Sequence, residues 1–481
     1  MRAVPVARVR VMLRYIASAV GLFVLALAFP AWPAEFSGEL ASGAWYHVEI
    51  PDGWQPGDSL VLYQHGLDFT PPSNAPGLGP LRDVMLSEGY AVAATSYQER
   101  GWALFTAIDD NRDLLAAFES LAGGAPGEVV PFGGSMGGLT ALKLAEADGF
   151  PPVKGVYALC PAAGGARLWD AGIDLRLAFD AVCGPDGAGS FPEGDPPMPW
   201  AMNLSDIPNG LDDFFDYADL VPVLVPLEQC TGVSLPPALR NDAMQRRLDQ
   251  LMRFAHITDE RFFITNIAYA TFALSDLVRA PGKLDGHNPF TTAGVDYSSD
   301  PEIAANILRI RAEPFAAAKL HEVSDFHGAV GSAKILSMHT SEDQLVVPGN
   351  EAFIANAVPA DQRAIVIVDE ASPTHCGFSD AEGLAGWETL RGWKDGAPQP
   401  DVAVMQQLCE TLVMSRGITG PCRFDPDPTI VPFDAIVRAR PASTTGPRGH
   451  SQHARPSEPV PTSDRTSQER TAAEARLRNP S

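Results

Sequence analysis

The segment from Val129 to Thr140 restricts this chain more than any other stretch. It reads Val-Val-Pro-Phe-Gly-Gly-Ser-Met-Gly-Gly-Leu-Thr. The run over 128–132, apolar from Val129 onward, has the length of a buried strand, and 139–147 carries helical spacing. Only six residues separate them, four of them glycine, with Ser135 at the centre. Such a turn holds its central residue in a sharp, strained backbone, and glycines two residues either side remove side chains that would collide. The pattern Gly133-x-Ser135-x-Gly137 is common by chance in glycine-rich chains; a strand before it and a helix after it make it informative. It predicts a serine held at the carboxyl edge of a sheet, beside a helix N-terminus that favours negative charge.

The surrounding sequence supplies such a sheet. Strand-like runs at 45–50, 59–63, 90–95, 128–132 and 153–159 alternate with helical patterns at 81–88, 109–121 and 139–147. This alternation predicts an α/β fold with a mostly parallel sheet covered on both faces. It stops near residue 161. Helical stretches at 241–255, 264–278 and 301–320 and a Pro/Gly-rich loop at 184–199 follow. Strand signals return at 334–338 and 364–369, with a helix at 381–393. The expected organisation is a core of residues 35–160 and 331–438 interrupted by a helical cap at 161–330. Residues 439–481, rich in Pro, Ser, Thr, Arg and Gly, are expected to form a disordered tail.

A serine nucleophile needs a base, and the base needs an orienting acid. In a sheet of this kind the chain order is Ser, then Asp or Glu, then His. Asp343 follows the strand at 334–338, and His375 follows the strand at 364–369. Ser135, Asp343 and His375 thus follow three different strands in that order. Glu342 is offset by one residue, His339 lies at a strand end, and His65 precedes the serine; each is a weaker candidate. Tyr63-Gln64-His65-Gly66-Leu67 closes an early strand, where a His-Gly loop supplies backbone N–H groups to an oxyanion. Gly66, Leu67 and Met136 are the expected oxyanion-hole residues.

The chain resembles the secreted bacterial α/β-hydrolase superfamily of esterases and prolyl-oligopeptidase-like serine hydrolases. Trp45-Tyr46-His47 with Trp54, His65-Gly66, Gly89-Tyr90-Ala91-Val92-Ala93, Ser96-Tyr97 and Gly101-Trp102 carry the resemblance, as do the elbow and Leu159-Cys160-Pro161. Asn288-Pro289-Phe290 with Tyr297, Asp343 to Pro348, His375-Cys376-Gly377-Phe378 with Glu382, and Trp393 continue it to about residue 400. The resemblance implies an α/β-hydrolase fold with a cap and hydrolysis at a carbonyl. It leaves open an ester or a peptide bond, or a binding protein that keeps the fold without catalysis. His375-Cys376 also resembles half of a tannase and feruloyl-esterase arrangement, in which cysteines beside the serine and the histidine are bonded. Gly134 precedes the serine here, so Cys376 would need another partner, and Cys160 is the one suggested.

The N-terminus carries Arg2, Arg8, Arg10 and Arg14, then an uncharged apolar run over 16–29 and small residues to Ala34. That is the pattern of a cleaved export signal at 1–34, placing the chain in the periplasm or medium without stable membrane association. Six cysteines in such a compartment can pair. Cys183 with Cys230 and Cys409 with Cys422 are the sequence-local possibilities, though the sequence leaves the connectivity open. A formal net charge of −24 repels phosphate backbones and argues against nucleic acid as a partner. The expected partner is a small-molecule ester. No metal or organic cofactor is expected. Trp200, Phe214, Phe215, Phe262, Phe263, Tyr269 and Phe272 are candidates to line a pocket under the cap.

Overall fold

A computed structural model of the chain describes residues 33–69, 74–184 and 217–441. The expected export signal lies outside the described residues except at its end, where Ala34 opens the first strand. Of the expected tail, residues 439–441 are described.

The strands are β1 (Ala34–Glu39), β2 (Trp45–Ile50), β3 (Ser59–Gln64), β4 (Ala91–Thr95), β5 (Glu128–Gly134), β6 (Gly155–Leu159), β7 (Lys334–Thr340) and β8 (Arg363–Val368). They form one 8-stranded sheet in the order β1-β2-β4-β3-β5-β6-β7-β8. β1 and β2 run antiparallel at one edge, and every pairing from β4 to β8 is parallel. The exchange of β3 and β4 in an otherwise sequential parallel sheet, with a glycine elbow after β5, is the α/β-hydrolase fold. Pro131 is tolerated in the central β5 because it pairs with Leu62 of β3, whereas the ladder to β6 starts at Phe132.

Crossover helices cover both faces, as parallel strands buried on both sides require. The first half supplies α1 (Arg82–Ser87), α2 (Ala107–Ala122) and α3 (Met136–Glu146). Between β6 and β7 the described residues form helices and loops: α4 (Leu168–Cys183), α5 (Tyr217–Thr231), α6 (Asp242–Phe254), α7 (Glu260–Ala268), α8 (Leu274–Arg279), α9 (Pro301–Asn306) and α10 (Pro314–Ser324). The last part of the chain supplies α11 (Glu351–Ala357), α12 (Asp380–Lys394) and α13 (Val402–Arg416). Val61, Val92, Val130 and Leu336 pack with α1, α12 and α13 on one face, while Leu60, Leu62 and Val129 pack with α2 on the other.

Three differences from the sequence reading have local causes. The single helix expected over 264–278 is broken by a five-residue π turn, Tyr269–Ala273. The helix expected over 301–320 is two, Pro301–Asn306 and Pro314–Ser324, separated by seven non-helical residues, with Pro314 at the first turn of the second. β1 and α13 were not expected; α13 has an Asp401 N-cap and ends at Gly417 in the left-handed region.

All six cysteines are paired: Cys160–Cys376, Cys183–Cys230 and Cys409–Cys422. Cys183–Cys230 joins the cap helices α4 and α5. Residues 433–441 then run back over the cap. Arg440 meets Asp170 and Asp174 of α4 at 3.0 Å and 2.9 Å, and Tyr297 donates to the same Asp174 oxygen. The packed chain therefore extends past residue 439 to at least Arg440.

Candidate active site

Ser135 follows β5 directly and caps α3 with φ 58° and ψ −127°, a backbone that an L-residue adopts only where its surroundings impose it. The imposing contact is the close passage of β3. A Cβ on Gly137 would run into the Gln64 carbonyl oxygen, and one on Gly133 would meet both that oxygen and the Gly137 carbonyl. Both glycines of the motif are needed for this approach, not only for turn flexibility. Gln64 is fixed in turn by paired amide bonds with Asn111 of α2, at 2.8 Å and 2.9 Å. Ser135 N–H donates to the Leu159 carbonyl at 2.9 Å, tying the elbow to β6.

His375 follows β8 and its Nε2 lies 3.0 Å from Ser135 Oγ. Its Nδ1 lies 2.7 Å from Asp343 Oδ2. A ring whose Nδ1–H donates to a carboxylate presents its Nε2 lone pair to the serine hydroxyl, so this geometry selects the tautomer that accepts the proton. Asp343 is buried, and its other oxygen accepts from Leu345 N–H at 2.9 Å and Val346 N–H at 3.0 Å. Burial pushes this carboxyl up, but the facing His375 and His339 rings and the Leu345 N–H outweigh it and hold it below its ordinary value. The three residues expected from chain order are thus brought into one hydrogen-bonded row.

The other candidates separate cleanly. Glu342 is exposed. His65 donates from Nδ1 to the Gly66 carbonyl at 2.8 Å and packs against Tyr97 at 4.3 Å, so it shapes its own loop instead of joining the row. His339 is fully buried and sits behind Asp343, with Nε2 3.9 Å from Asp343 Oδ2.

Of the expected oxyanion residues, Leu67 and Met136 line the same cavity as Ser135. Gly66 lies beside it; a Cβ there would stand 3.6 Å from the Ser135 Cβ. Met136 opens α3, where the first N–H groups have no partner within the helix.

The cavity over Ser135 has a volume of about 80 Å³, room for several waters. Its floor is Leu67, Met136, Ala162, Leu345 and Val346, and its roof comes from α4, with Leu168 and Trp169, and from the π turn, with Tyr269 and Ala270. Among the described cap aromatics proposed for a pocket, Tyr269 lines it, whereas Phe263 and Phe272 are buried in the hydrophobic cluster that joins these helices to α3, β6 and β7, and Phe262 packs against that cluster. Trp200, Phe214 and Phe215 lie outside the described residues. Trp102 and Trp169, edge to face at 5.3 Å, line the cavity and were not expected to. Trp102 entered the sequence reading only through the resemblance and Trp169 is the second residue of α4, so neither had a spacing that marked it as lining a pocket.

Cys376, which follows His375, is bonded to Cys160 at the end of β6. Arg423 donates to the Gly377 carbonyl at 2.8 Å and pairs with buried Glu382, which also closes the capping box of α12 with Ser379. Cys160, Asp343, His375 and Cys376 converge closely enough to suggest metal ligands. Disulfide sulfurs are not thiolates, however, so this donor set does not fit one. Glu35, His47 and Glu49 also converge, but Arg82 occupies both oxygens of Glu49.

Family models and curated protein sequences yield no match to the chain. Among solved structures it is similar to feruloyl esterase B from Aspergillus oryzae, at 12% identity and a TM-score of 0.39 over 77% of this chain and 82% of that one. It is similar to Candida antarctica lipase A in its closed state, at 14% and 0.36 over 76% and 78%. It is similar to an esterase domain from a Rhodothermus marinus protein, at 15% and 0.32 over 76% and 99%. These likenesses are too distant to carry an argument; the fold is identified by its strand order and elbow.

Proposed function

We propose that this chain is an exported serine hydrolase that cleaves a carboxylic ester through an acyl-enzyme on Ser135. The observation that carries the reading is the row Ser135 Oγ, His375 Nε2, His375 Nδ1, Asp343 Oδ2, with steps of 3.0 Å and 2.7 Å, at a strained elbow under a cap.

His375 takes the hydroxyl proton as Ser135 attacks the ester carbonyl. Asp343 holds the ring's tautomer and stabilises the imidazolium that forms. The oxyanion develops beside the Met136 N–H and the Gly66–Leu67 backbone; each such donor is worth about 2.7–4 kcal/mol in the transition state. The imidazolium then protonates the departing alcohol, and water activated by the same ring releases the acid. The apolar cavity under Trp102 and Trp169 suits a short acyl chain or small aromatic group.

Export is supported by the N-terminal pattern and by three disulfides accounting for every cysteine. A small-molecule ester is the proposed partner. Among the described residues no helix is long and apolar enough to cross a membrane.

The test is a panel of aryl esters and aminoacyl anilides with wild type and Ser135→Ala. Ester turnover that disappears in the variant supports the reading. Cleavage of anilides alone makes the chain a peptidase, and activity surviving in Ser135→Ala removes the acyl-enzyme mechanism.

A further inference from the structure

Behind Asp343 lies a second histidine and carboxylate that the mechanism above leaves unused. Ser337 and His339 stand two apart on β7 and so share a face. That face meets Glu351, the first residue of α11. His339 Nδ1 lies 3.0 Å from Glu351 Oε1, which also accepts from Ser337 Oγ at 2.8 Å. His339 Nε2 lies 2.6 Å from the Val346 carbonyl oxygen. Both His339 and Glu351 are completely buried.

These contacts constrain the protonation of the ring. A carbonyl oxygen only accepts, so Nε2 must carry a proton. Nδ1 faces a Glu351 oxygen that already receives a serine hydroxyl. A donating Nδ1 would make His339 an imidazolium facing Glu351. Burial alone favours the neutral ring, but Glu351, Asp343 and the Val346 carbonyl outweigh it, and the ring holds its proton more tightly than an ordinary histidine.

Two links join this pair to the triad. Val346 accepts from His339 through its carbonyl and donates to Asp343 Oδ1 through its N–H at 3.0 Å, so the ring fixes the turn that wraps the acid. His339 Nε2 also lies 3.9 Å from Asp343 Oδ2, the oxygen that receives His375. The charged groups facing Asp343 are therefore His375 on one side and His339 with Glu351 on another. Glu370, in the loop after β8 with Arg423 beyond it, faces the remaining side.

We propose, resting on the reading of Ser135, His375 and Asp343 as a triad, that His339 is a positioning residue. Its buried positive charge balances Glu351 and keeps Asp343 ionised as the acid limb of activity is approached. Without that charge, two buried carboxylates share the space behind His375 and the cluster binds protons more readily. His375 is then unavailable as a base until a higher pH.

The experiment compares the pH dependence of kcat/KM on an activated aryl ester for wild type, His339→Gln, Glu351→Gln and the double variant. The glutamine amide can still donate to the Val346 carbonyl but carries no charge. His339→Gln is expected to move the acid limb up by about one pH unit, the size of an opposite charge lost at this range. Glu351→Gln moves it the other way or leaves it in place, since His339 either keeps its charge or loses it with its partner. The double variant, with the pair's net charge restored to zero, returns the limb to near the wild-type position. A limb unmoved in His339→Gln, or equally displaced in the double variant, overturns the proposal, because a purely structural role would not follow net charge.

A second arm does not need activity or these variants. Nitrogen NMR of the histidines in Ser135→Ala protein should find the His339 ring protonated on both nitrogens at pH 8; a neutral ring overturns the proposal. Failure of Ser135 itself would be seen in the wild-type ester assay and leaves the NMR result standing, so the two failures are distinguishable.

Discussion

Cys376 follows His375 in the chain and is bonded to Cys160, 216 residues earlier at the end of β6. His375 is thereby tied covalently to the strand next to the one that leads into Ser135. Cys376 also has φ 53°, and its N–H points at Asp343 Oδ2 at 3.4 Å. Replacing both cysteines by serine should lower kcat/KM about 10–100-fold while the protein remains folded, because misplacing a reacting group by an ångström costs on that order. Stability should fall by about 2–5 kcal/mol. Denaturant unfolding and ester turnover measure the two effects. A folded double-serine variant with undiminished turnover would show that the bond does not position His375.

Much of this site is legible in the sequence because it is built from local signals. The elbow is one short segment whose glycines, strand and helix can be read together. Asp343 and His375 follow from fold order, since each comes directly after a strand that ends at the same sheet edge. His339 and Glu351 are different. His339 reads as an ordinary residue at a strand end, and its partner lies on a helix after a loop, so neither the buried ion pair nor its contact with Val346 has a pattern. Ser337 and His339 alternating within an apolar strand were the signal available: two polar side chains on a buried face need a partner. The cavity lining is equally hidden, because Trp102, Trp169 and Tyr269 converge from three separate segments. The break at the π turn that brings Tyr269 to the cavity has no breaker residue to announce it.

Asp343→Asn tests the proposed orienting acid in two ways. Activity should fall about 10³–10⁴-fold, as the ring loses the acceptor that selects its tautomer. The effect on stability has a definite sign with pH. The carboxyl is held below its ordinary value in the folded protein, so ionisation stabilises the fold at pH above the unfolded value of about 3.9. That contribution is lost as pH falls through the folded value. The difference in melting temperature between wild type and Asp343→Asn should be constant near neutrality and shrink once the pH drops below about 4. A difference that grows on acidification contradicts this assignment.

Arg440 connects the end of the described chain to the cavity roof. It pairs with Asp170 and Asp174 on α4, while Leu168 and Trp169 of the same helix face the cavity over Ser135. Arg440→Ala leaves two buried carboxylates short of a partner, which costs about 3–5 kcal/mol. The expected kinetic effect is a rise in KM larger than the fall in kcat, since the roof shifts but the triad does not. Arg440→Lys should recover only part of it, because an ammonium cannot reproduce the forked contact. Equal KM values for wild type and Arg440→Ala would separate this contact from substrate binding.

The most direct measurement is covalent labelling of Ser135. Intact wild-type protein treated with a fluorophosphonate should gain one adduct, mapped by peptide mass spectrometry to the segment containing Ser135, with ester turnover lost in step. Ser135→Ala should gain none, and His375→Ala should label far more slowly. Folded wild-type protein that hydrolyses esters but stays unlabelled, or carries the adduct on another residue, would contradict the account of Ser135 as the nucleophile.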